Sequence, residues 1–366
     1  MTDSLFVPSF GNRPRNLIGR EAVLQQFQLT LNSPPGSRDR AILLLGQRGS
    51  GKTVLLWELA DLAKAKGFIV APPTIVTSGM LDRILEKLEE AGSDYLAKPK
   101  AKLSGGSVGA LGFSAGLQLQ SPEQEKKSFA YRLSVLCRQL NEKGKDVLIL
   151  IDEVQANSPE LKQLIVAFQE LVGEGRRIAI VFAGLPMAIS STLNDHVLTF
   201  LNRAVKISLP PLRIGEIEAY FSQAFSELGV LLSDERITEA AEATEGSPFL
   251  MQLIGHYLTI LAEEQLPMKE DVFQKALSLA KRDFKNDVCG TTLAALSEQD
   301  RVFLETMAQS DDAVSLTEIA ERMGVSNSYA QLYKRRLIQA GVIMQPQRGF
   351  VSFAVPYLKD YLAEEL

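Results

Sequence analysis

The sequence predicts an α/β core with a parallel sheet, then a helical region, then a smaller C-terminal region of helices and a hairpin. Short apolar runs alternate with amphipathic helical patterns up to about residue 210, which is typical of parallel strands with helices on both faces. Beyond that point, helical patterns follow one another until an alternating pattern around Gly349 indicates two strands. The predicted core strands are 41–45, 68–71, 147–151, 178–183 and 204–208.

Length and composition are those of a soluble globular protein with two or three domains. The chain has 366 residues, of which 46% are hydrophobic and 23% charged, and it exceeds what one hydrophobic core usually spans. Its net charge of −5 gives no overall basic field for nucleic acid, so any such contact must come from a local patch. The N-terminus lacks a secretory pattern, and no apolar run approaches the roughly 20 residues of a membrane-spanning helix. We therefore expect a cytoplasmic protein without membrane contact.

Cysteine and histidine are too rare to suggest a disulfide framework or a zinc site. Cys137 and Cys289 are the only cysteines and lie in helical patterns, which fits a reducing compartment. His196 and His256 are isolated, and we interpret both as packed helix residues rather than metal ligands.

The segment "GQRGSGKT", residues 46–53, directly follows the first predicted strand and matches the pattern G-x-x-x-x-G-K-[ST]. Glycines there let successive backbone N–H groups face phosphate oxygens, Lys52 reaches the β- and γ-phosphates, and the Thr53 hydroxyl holds Mg²⁺. The helix that begins here adds the positive end of its dipole. The alternative is an ordinary strand-to-helix turn. The nucleotide-binding interpretation assigns contacts to Gly46, Gln47, Arg48, Gly49, Ser50, Gly51, Lys52, Thr53 and Val54.

A second motif, "DVLILIDEVQ", ends a buried strand with two acidic residues. Asp152 is placed to hold Mg²⁺, and Glu153 to polarise an attacking water. The carboxyl ends of parallel strands form the ligand-binding edge of such sheets, and both motifs fall at strand ends. The alternative is that Asp152 only caps the next turn.

With both motifs present, the chain resembles the AAA+ superfamily of P-loop NTPases, and more narrowly origin-recognition-type and STAND signalling ATPases. "LIGRE" (17–21) is similar to the motif that flanks the adenine in this family, which implies a role for Ile18 and Gly19. "ISLPPLRIGEIEAYF" resembles the join to a helical lid, and "EGSPFLMQLIGHYL" the lid helix, with Pro248 near the base. The resemblance implies ATP and Mg²⁺ as ligands. It also implies an N-terminal arm (1–39), a nucleotide-binding core (40–210) and an α-helical lid (211–290). Three helical patterns followed by two strands around Gly349 predict a C-terminal winged helix-turn-helix (291–366).

Departures from the family pattern predict slow hydrolysis. "IAIVFAGLP" offers Gly184 and Pro186 where a polar sensor is usual, with Ser190, Ser191 and Thr192 further on, and the lid helix opens without an arginine. Arg203, just before the fifth strand, stands where the family keeps an arginine finger, which would stabilise charge on the transferring phosphoryl group. Acting on a neighbouring copy, it would require self-association. The alternative is a solvated arginine at a strand edge.

Two functions stay open for the C-terminal region. Its third helix and presumed wing carry side chains suited to base edges and phosphates. These candidates for binding double-stranded DNA are Asn327, Ser328, Tyr329, Lys334, Arg335 and Arg348. However, residues 291–366 contain seven basic and ten acidic residues, a net charge of −3, whereas DNA-binding domains are usually positive. The region is interpreted either as a nucleotide-controlled DNA reader or as a protein-binding module of a signalling switch.

Residues 97–122 form a Gly/Ser-rich insertion between the second and third core strands. It contains two G-x-S-x-G matches, "GGSVG" and "GFSAG". A serine hydrolase using Ser114 would need a buried strand before the serine and a helix after it, and the sequence predicts neither. A hydrolase is therefore the remote alternative.

Overall fold

The computed structural model describes residues 5–8, 13–96, 127–155, 158–193, 199–264, 268–310 and 313–365. Its core is a five-stranded sheet in the order β2-β3-β4-β1-β5, with all neighbouring strands parallel. This confirms the predicted fold class. The strands are β1 Ala41–Leu45, β2 Ile69–Ile75, β3 Val147–Asp152, β4 Ile178–Gly184 and β5 Val205–Ser208.

Helices cover both faces of the sheet because residues along each strand alternate between two apolar clusters. On one side, Ile42 and Leu44 pack with α1 and α2; on the other, Leu43 packs with α3, α4 and α5. All six residues of β3 are buried, as expected for a central parallel strand. The core helices are α1 Glu21–Asn32, α2 Lys52–Ala65, α3 Met80–Ala91, α4 Phe129–Glu142, α5 Pro159–Gly173 and α6 Pro186–Leu193.

Strand β2 is longer than the sequence predicts and contains two consecutive prolines. Pro72 and Pro73 lie in the middle of it, and its pairing with β3 shifts register between Ala71 and Thr74. Proline cannot donate to a neighbouring strand, so it is tolerated at a sheet edge, where β2 lies. Because prolines are unusual in strands, the sequence pattern predicts only the first half of β2.

The region after the sheet consists of helices that continue into the C-terminal region without a break in packing. The first four helices are α7 Ile214–Leu228, α8 Asp234–Glu242, α9 Pro248–Glu264 and α10 Glu270–Phe284. A π-helical segment, Lys285–Gly290, and the short helix α11 Thr291–Ala294 follow them. We call α7 to α10 the lid. No helix in the described ranges is both long and apolar enough to cross a membrane.

The C-terminal region adds helices and a small antiparallel sheet in the order β6-β8-β7. Its elements are α12 Glu298–Ala308, β6 Val314–Ser315, α13 Leu316–Arg322, α14 Asn327–Gln339, β7 Ile343–Met344, β8 Phe350–Phe353 and α15 Leu358–Glu365. One apolar cluster joins this region to the lid. Ion pairs reinforce the join: Lys281 pairs with Asp360 at 2.6 Å, and the buried Lys285 pairs with Glu364 at 2.7 Å. The lid and the C-terminal region therefore pack as one unit.

The N-terminal segment is anchored in the lid rather than in the sheet. Phe6 is fully buried, with its ring 5.3–5.8 Å from those of Tyr220, Phe221 and Phe225. A Cβ at Gly255 would come within 2.1 Å of the Phe6 ring. Glycine at this position of α9 therefore makes room for the anchor.

Both cysteines are buried free thiols. Burial raises the pKa of Cys137 and of Cys289 to about 12. A thiol with such a pKa has little thiolate and is a poor nucleophile.

Candidate functional site

A cavity of about 600 Å³ lies between the carboxyl edge of the sheet and the lid. Its walls come from the N-terminal segment, the glycine loop, the ends of β3 and β4, helix α9 and the π-helical segment. The predicted site residues that line it are Ile18, Arg48, Gly49, Ser50, Gly51, Lys52, Thr53, Val54, Asp152, Glu153 and Pro248. The cavity thus brings together predicted residues from four separate parts of the sequence.

The glycine loop folds tightly between β1 and α2. Gly51 precedes the first residue of α2 and has a φ of +83°, which a residue with a Cβ rarely adopts. At Gly46 a Cβ would lie 2.4 Å from Ser50 Oγ, so any side chain there would force the loop open. The loop is therefore held in a shape that only glycine permits at these two positions.

Lys52 lies across this loop with its ammonium group largely withdrawn from water. Its Nζ donates to the backbone oxygens of Gly46 at 2.9 Å and Gln47 at 2.6 Å. Burial lowers the pKa of Lys52 to about 8, against the opposing effect of the nearby Asp152 carboxylate. A partly desolvated cation bound only by neutral carbonyls is well suited to an anionic ligand.

A carboxylate and a hydroxyl meet beside Lys52. Thr53 Oγ1 donates to Asp152 Oδ2 at 2.6 Å, and the other oxygen of this buried carboxylate accepts from Glu153 N at 2.9 Å. Oxygen donors of this kind suit Mg²⁺, which commonly takes one or two protein ligands and completes its shell with phosphate oxygens and water. In the described ranges no group of three or more His, Cys, Asp or Glu residues forms a metal site. A cation here would therefore depend on the substrate for further ligands.

The loop also contains a polar atom that lacks a partner. Ser50 Oγ is buried and has no hydrogen bond to any described residue. Buried hydroxyls are normally paired, so an unpaired one in a cavity wall is compatible with a ligand that supplies an acceptor. The loop therefore fits a bound phosphate chain.

Glu153 lies in the cavity wall directly after Asp152. Its side chain is exposed, and its φ of +51° is in the left-handed region. Such a conformation is uncommon for a residue with a long side chain and clusters at functional sites. This backbone turn lets Asp152 stay buried while the next carboxylate faces the solvent.

Residues of the "LIGRE" motif (17–21) flank the cavity next to the glycine loop. Ile18 lines it, whereas Gly19 turns behind it: a Cβ there would be 2.7 Å from atoms of Leu212 and Glu216. Arg20, which sequence reasoning did not select, is buried and donates to the backbone oxygens of Gly19 at 3.2 Å and Ser50 at 3.3 Å. Burial lowers the pKa of Arg20. The motif thus ties the N-terminal segment to the glycine loop.

Several cavity residues give no signal in the sequence. Arg13 stacks on Trp57 of α2, 4.4 Å from the ring centre, and pairs with Asp61 at 2.5 Å. Both Arg13 and Trp57 line the cavity, as do Gln252 of α9 and Asp287 of the π-helical segment. Their roles depend on the packing of the arm and lid over the sheet, which no local pattern encodes.

The structure separates some predicted residues from the cavity. Gly46 and Gln47 belong to the loop but do not line the cavity, and Arg203 is exposed in the short turn Thr199–Arg203 before β5 and also lies outside the cavity wall. At the end of β4, Gly184 and Leu185 line the cavity. The Thr192 hydroxyl is occupied within α6, donating to Ala188 O at 2.9 Å. In the described part of one copy, neither Thr192 nor Arg203 therefore reaches the cavity.

The candidate DNA contacts in the C-terminal region have different surroundings. Exposed side chains at the start of α14, on its surface and in the β7–β8 turn are Asn327, Ser328, Tyr329, Arg335 and Arg348. Lys334 donates to Gln345 Oε1 at 3.2 Å. Leu332 and Met344 are each about half exposed nearby in the sequence. The surface is therefore mixed, with apolar side chains beside the basic ones.

The insertion at 97–122, with both G-x-S-x-G matches and Ser114, lies outside the described residues, as does His196. His256 packs on α9 with its ring 5.6 Å from that of Tyr257.

Comparison with solved structures shows the same fold over nearly the whole chain. A Walker-type ATPase of Pyrococcus abyssi is 16% identical, with 96% of this chain and 97% of that chain covered and a TM-score of 0.68. The ORC2 protein of Aeropyrum pernix, in ADPNP–ADP complexes, is 18% identical, with 98% and 95% covered and a TM-score of 0.66. At such low identity these similarities concern the fold alone.

Sequence families match two parts of the chain. Residues 286–362 match a family described as a domain of unknown function, and residues 16–181 match the AAA ATPase domain family. A search of curated proteins gave no significant match. The AAA family implies nucleotide binding, and the match spans the glycine loop, Asp152, strands β1 to β3 and the start of β4. Residues 16–181 therefore carry the AAA ATPase domain that the glycine loop and the acidic strand end predict.

Proposed function

We propose that this protein binds Mg-ATP in the cavity between sheet and lid, hydrolyses it slowly, and couples nucleotide state to its C-terminal region. The observation that carries the proposal is the convergence of Lys52, Thr53 and Asp152 under a cavity of about 600 Å³, a size typical of ligand sites. The ADPNP and ADP complexes of the structurally similar Aeropyrum pernix protein also support it.

In this proposal the glycine loop and Lys52 hold the phosphate chain. Lys52 exchanges its two backbone acceptors for phosphate oxygens, which are stronger partners because they carry charge. Thr53 and Asp152 are the residues that would hold Mg²⁺, and the ion would neutralise phosphate charge. Ile18 and Pro248 line the part of the cavity assigned to the base.

Glu153 is proposed to orient and polarise the water that attacks the terminal phosphoryl group, with ADP as leaving group. Turnover is proposed to be slow because the hydroxyl of Thr192 is bonded within its helix and Arg203 lies outside the cavity wall. If copies assemble, the exposed Arg203 of one is free to approach the cavity of the next. The buried thiols are compatible with the proposed cytoplasmic location.

The coupling proposal rests on contacts between the C-terminal region and the core. A Cβ at Gly341, just after α14, would lie 3.2 Å from Gln47 Cγ and 3.7 Å from Pro186 Cδ. Gln47 also supplies a backbone oxygen to Lys52. A shift of Gln47 on nucleotide binding would therefore change the packing at Gly341 and displace the C-terminal region, which packs with the lid as one unit. We assign arm, core, lid and winged helix to residues 1–39, 40–210, 211–290 and 291–366.

The affinity for Mg-ATP is expected to fall about tenfold between pH 7 and pH 9. The ammonium of Lys52 has a pKa of about 8 in the free protein, so above that pH binding must first take up a proton. Fluorescence of Trp57, the only tryptophan and a cavity residue, is the measurement, with calorimetry as a check. Lys52→Arg is the control, since arginine stays protonated and its affinity should be flat over this range. Absence of saturable binding at any pH would overturn the proposed function.

DNA binding by the C-terminal region is the second candidate function. In the described part of the chain, Arg335 and Arg348 form no ion pair, unlike Arg336, which pairs with the buried Asp300 at 2.8 Å. The side chain of Ser326 accepts from Tyr329 N and caps the start of α14. An exposed helix start, with exposed guanidinium groups further along the same helix and in the β7–β8 turn, suits a duplex backbone.

Replacing both Arg335 and Arg348 with alanine is expected to weaken duplex binding and to lower the slope of log affinity against log salt by about 2. Binding of a labelled duplex at about 50 and 200 mM salt, with and without ATP, is the measurement. A double Arg38→Ala, Arg138→Ala variant removes the same charge from exposed positions elsewhere and should retain binding. No duplex binding by the wild-type protein at low salt would instead favour a protein partner for the mixed surface around Leu332 and Met344.

A further inference from the structure

One side chain in the cavity has a hydrogen-bond donor without a partner. Gln252 of α9 is 8% exposed and lines the cavity. Its Oε1 accepts from the backbone N of Val7 at 3.0 Å, whereas its Nε2 has no hydrogen bond to any described residue. The contact with Val7 fixes the orientation of the amide, because the reverse orientation would set two donors against each other.

The neighbour closest in character to a partner is the Tyr220 hydroxyl. Burial raises the pKa of this phenol, and a hydrogen bond from the Gln252 amide opposes the effect. That contact falls outside ordinary hydrogen-bond geometry, and the hydroxyl itself donates toward Leu5 O at 3.4 Å. Because an amide NH2 carries two N–H groups, Nε2 keeps at least one donor for a ligand.

Gln252 lies on the same side of α9 as Pro248, which is assigned to the base. Pro248 and Gln252 are four positions apart, which places them one above the other on a helix. Both line the cavity, together with the apolar side chains of Val7, Ile18 and Met251. Apolar walls with one or two polar groups are typical of sites for planar bases.

We propose that Gln252 donates a hydrogen bond from Nε2 to a ring nitrogen of a purine base, and that it is a specificity-determining residue of this site. The inference rests on the proposed nucleotide binding and adds to it the identity of the group that recognises the base. A donor requires an acceptor, and adenine presents acceptor nitrogens at N1, N3 and N7. Because Oε1 simultaneously holds Val7, base recognition is linked to the seating of the N-terminal segment.

The test compares ATP with inorganic triphosphate, which carries the phosphate chain without a base. Gln252→Leu is expected to lower ATP affinity about tenfold, the effect of one lost neutral hydrogen bond, and to leave triphosphate affinity unchanged. An equal loss for both ligands would overturn the proposal, since Gln252 would then act on the phosphate end or on folding. If wild type binds neither ligand, the proposed function itself fails.

Base analogues identify the contact. The analogues are 1-deaza-, 3-deaza- and 7-deaza-ATP, each of which lacks one ring nitrogen. The analogue that lacks the contacted nitrogen should bind wild type about tenfold more weakly than ATP does. Gln252→Leu should bind that analogue and ATP with equal affinity. Val7→Pro removes the backbone donor to Oε1 but keeps Nε2, so the analogue effect should persist in that variant. If no analogue shows a loss that depends on Gln252, the hydrogen bond does not exist.

Discussion

Lys52→Ala is expected to weaken Mg-ATP binding about 30- to 150-fold, which corresponds to about 2–3 kcal/mol for a hydrogen-bonded contact with a charged group. Among the described residues, the hydrogen-bond partners of this ammonium in the free protein are the backbone oxygens of Gly46 and Gln47, and burial lowers its pKa. A triphosphate would supply directly bonded negative charge, so most of the interaction energy of this side chain appears only when the ligand binds. Calorimetric titration of both proteins measures the effect.

The fold should survive this substitution. Removing a partly desolvated cation relieves an unfavourable burial, so the free energy of unfolding is not expected to fall much, and thermal melts check this. Lys64→Ala is the matched control, since Lys64 lies on the same helix, is about half exposed and pairs with Asp61 at 3.5 Å. Equal ATP affinity in Lys52→Ala and wild type would remove the basis of the nucleotide assignment.

Glu153→Gln is expected to lower the rate of ATP hydrolysis about 100- to 10,000-fold, the usual contribution of a general base. Binding should be unchanged or slightly tighter, because a carboxylate beside a triphosphate contributes like-charge repulsion. Glutamine has nearly the same shape as glutamate, so the backbone conformation at residue 153, with its φ of +51°, should be retained. Phosphate release under single-turnover conditions separates the chemical step from binding.

The control for this variant is Glu174→Gln, which changes an exposed carboxylate paired with Arg176 at 3.0 Å. Glu174 lies before the start of β4, at the sheet edge opposite the cavity. The control should hydrolyse ATP at the wild-type rate. Turnover by Glu153→Gln at the wild-type rate would exclude Glu153 as the base, while the assignment of Lys52 and Asp152 to binding would stand.

Sequence alone determined the elements whose signal is local. Strands β1, β3 and β4 are visible because a strand buried on both faces needs an unbroken apolar run, and the glycine loop because its tight conformation favours glycine at positions 46 and 51. Only β2 was cut short, since Pro72 and Pro73 are tolerated there solely because the strand lies at the sheet edge. That position is a property of the assembled sheet.

The tertiary structure decided which distant groups meet. The strand order β2-β3-β4-β1-β5 brings Thr53 and Asp152, 99 positions apart, to 2.6 Å, and lid packing places Gln252 against the arm. It also pairs Arg336 with Asp300, whereas the adjacent Arg335 forms no ion pair within the described residues. Such outcomes depend on burial and on charge neighbours contributed by other elements, and a one-dimensional pattern carries no information about those neighbours.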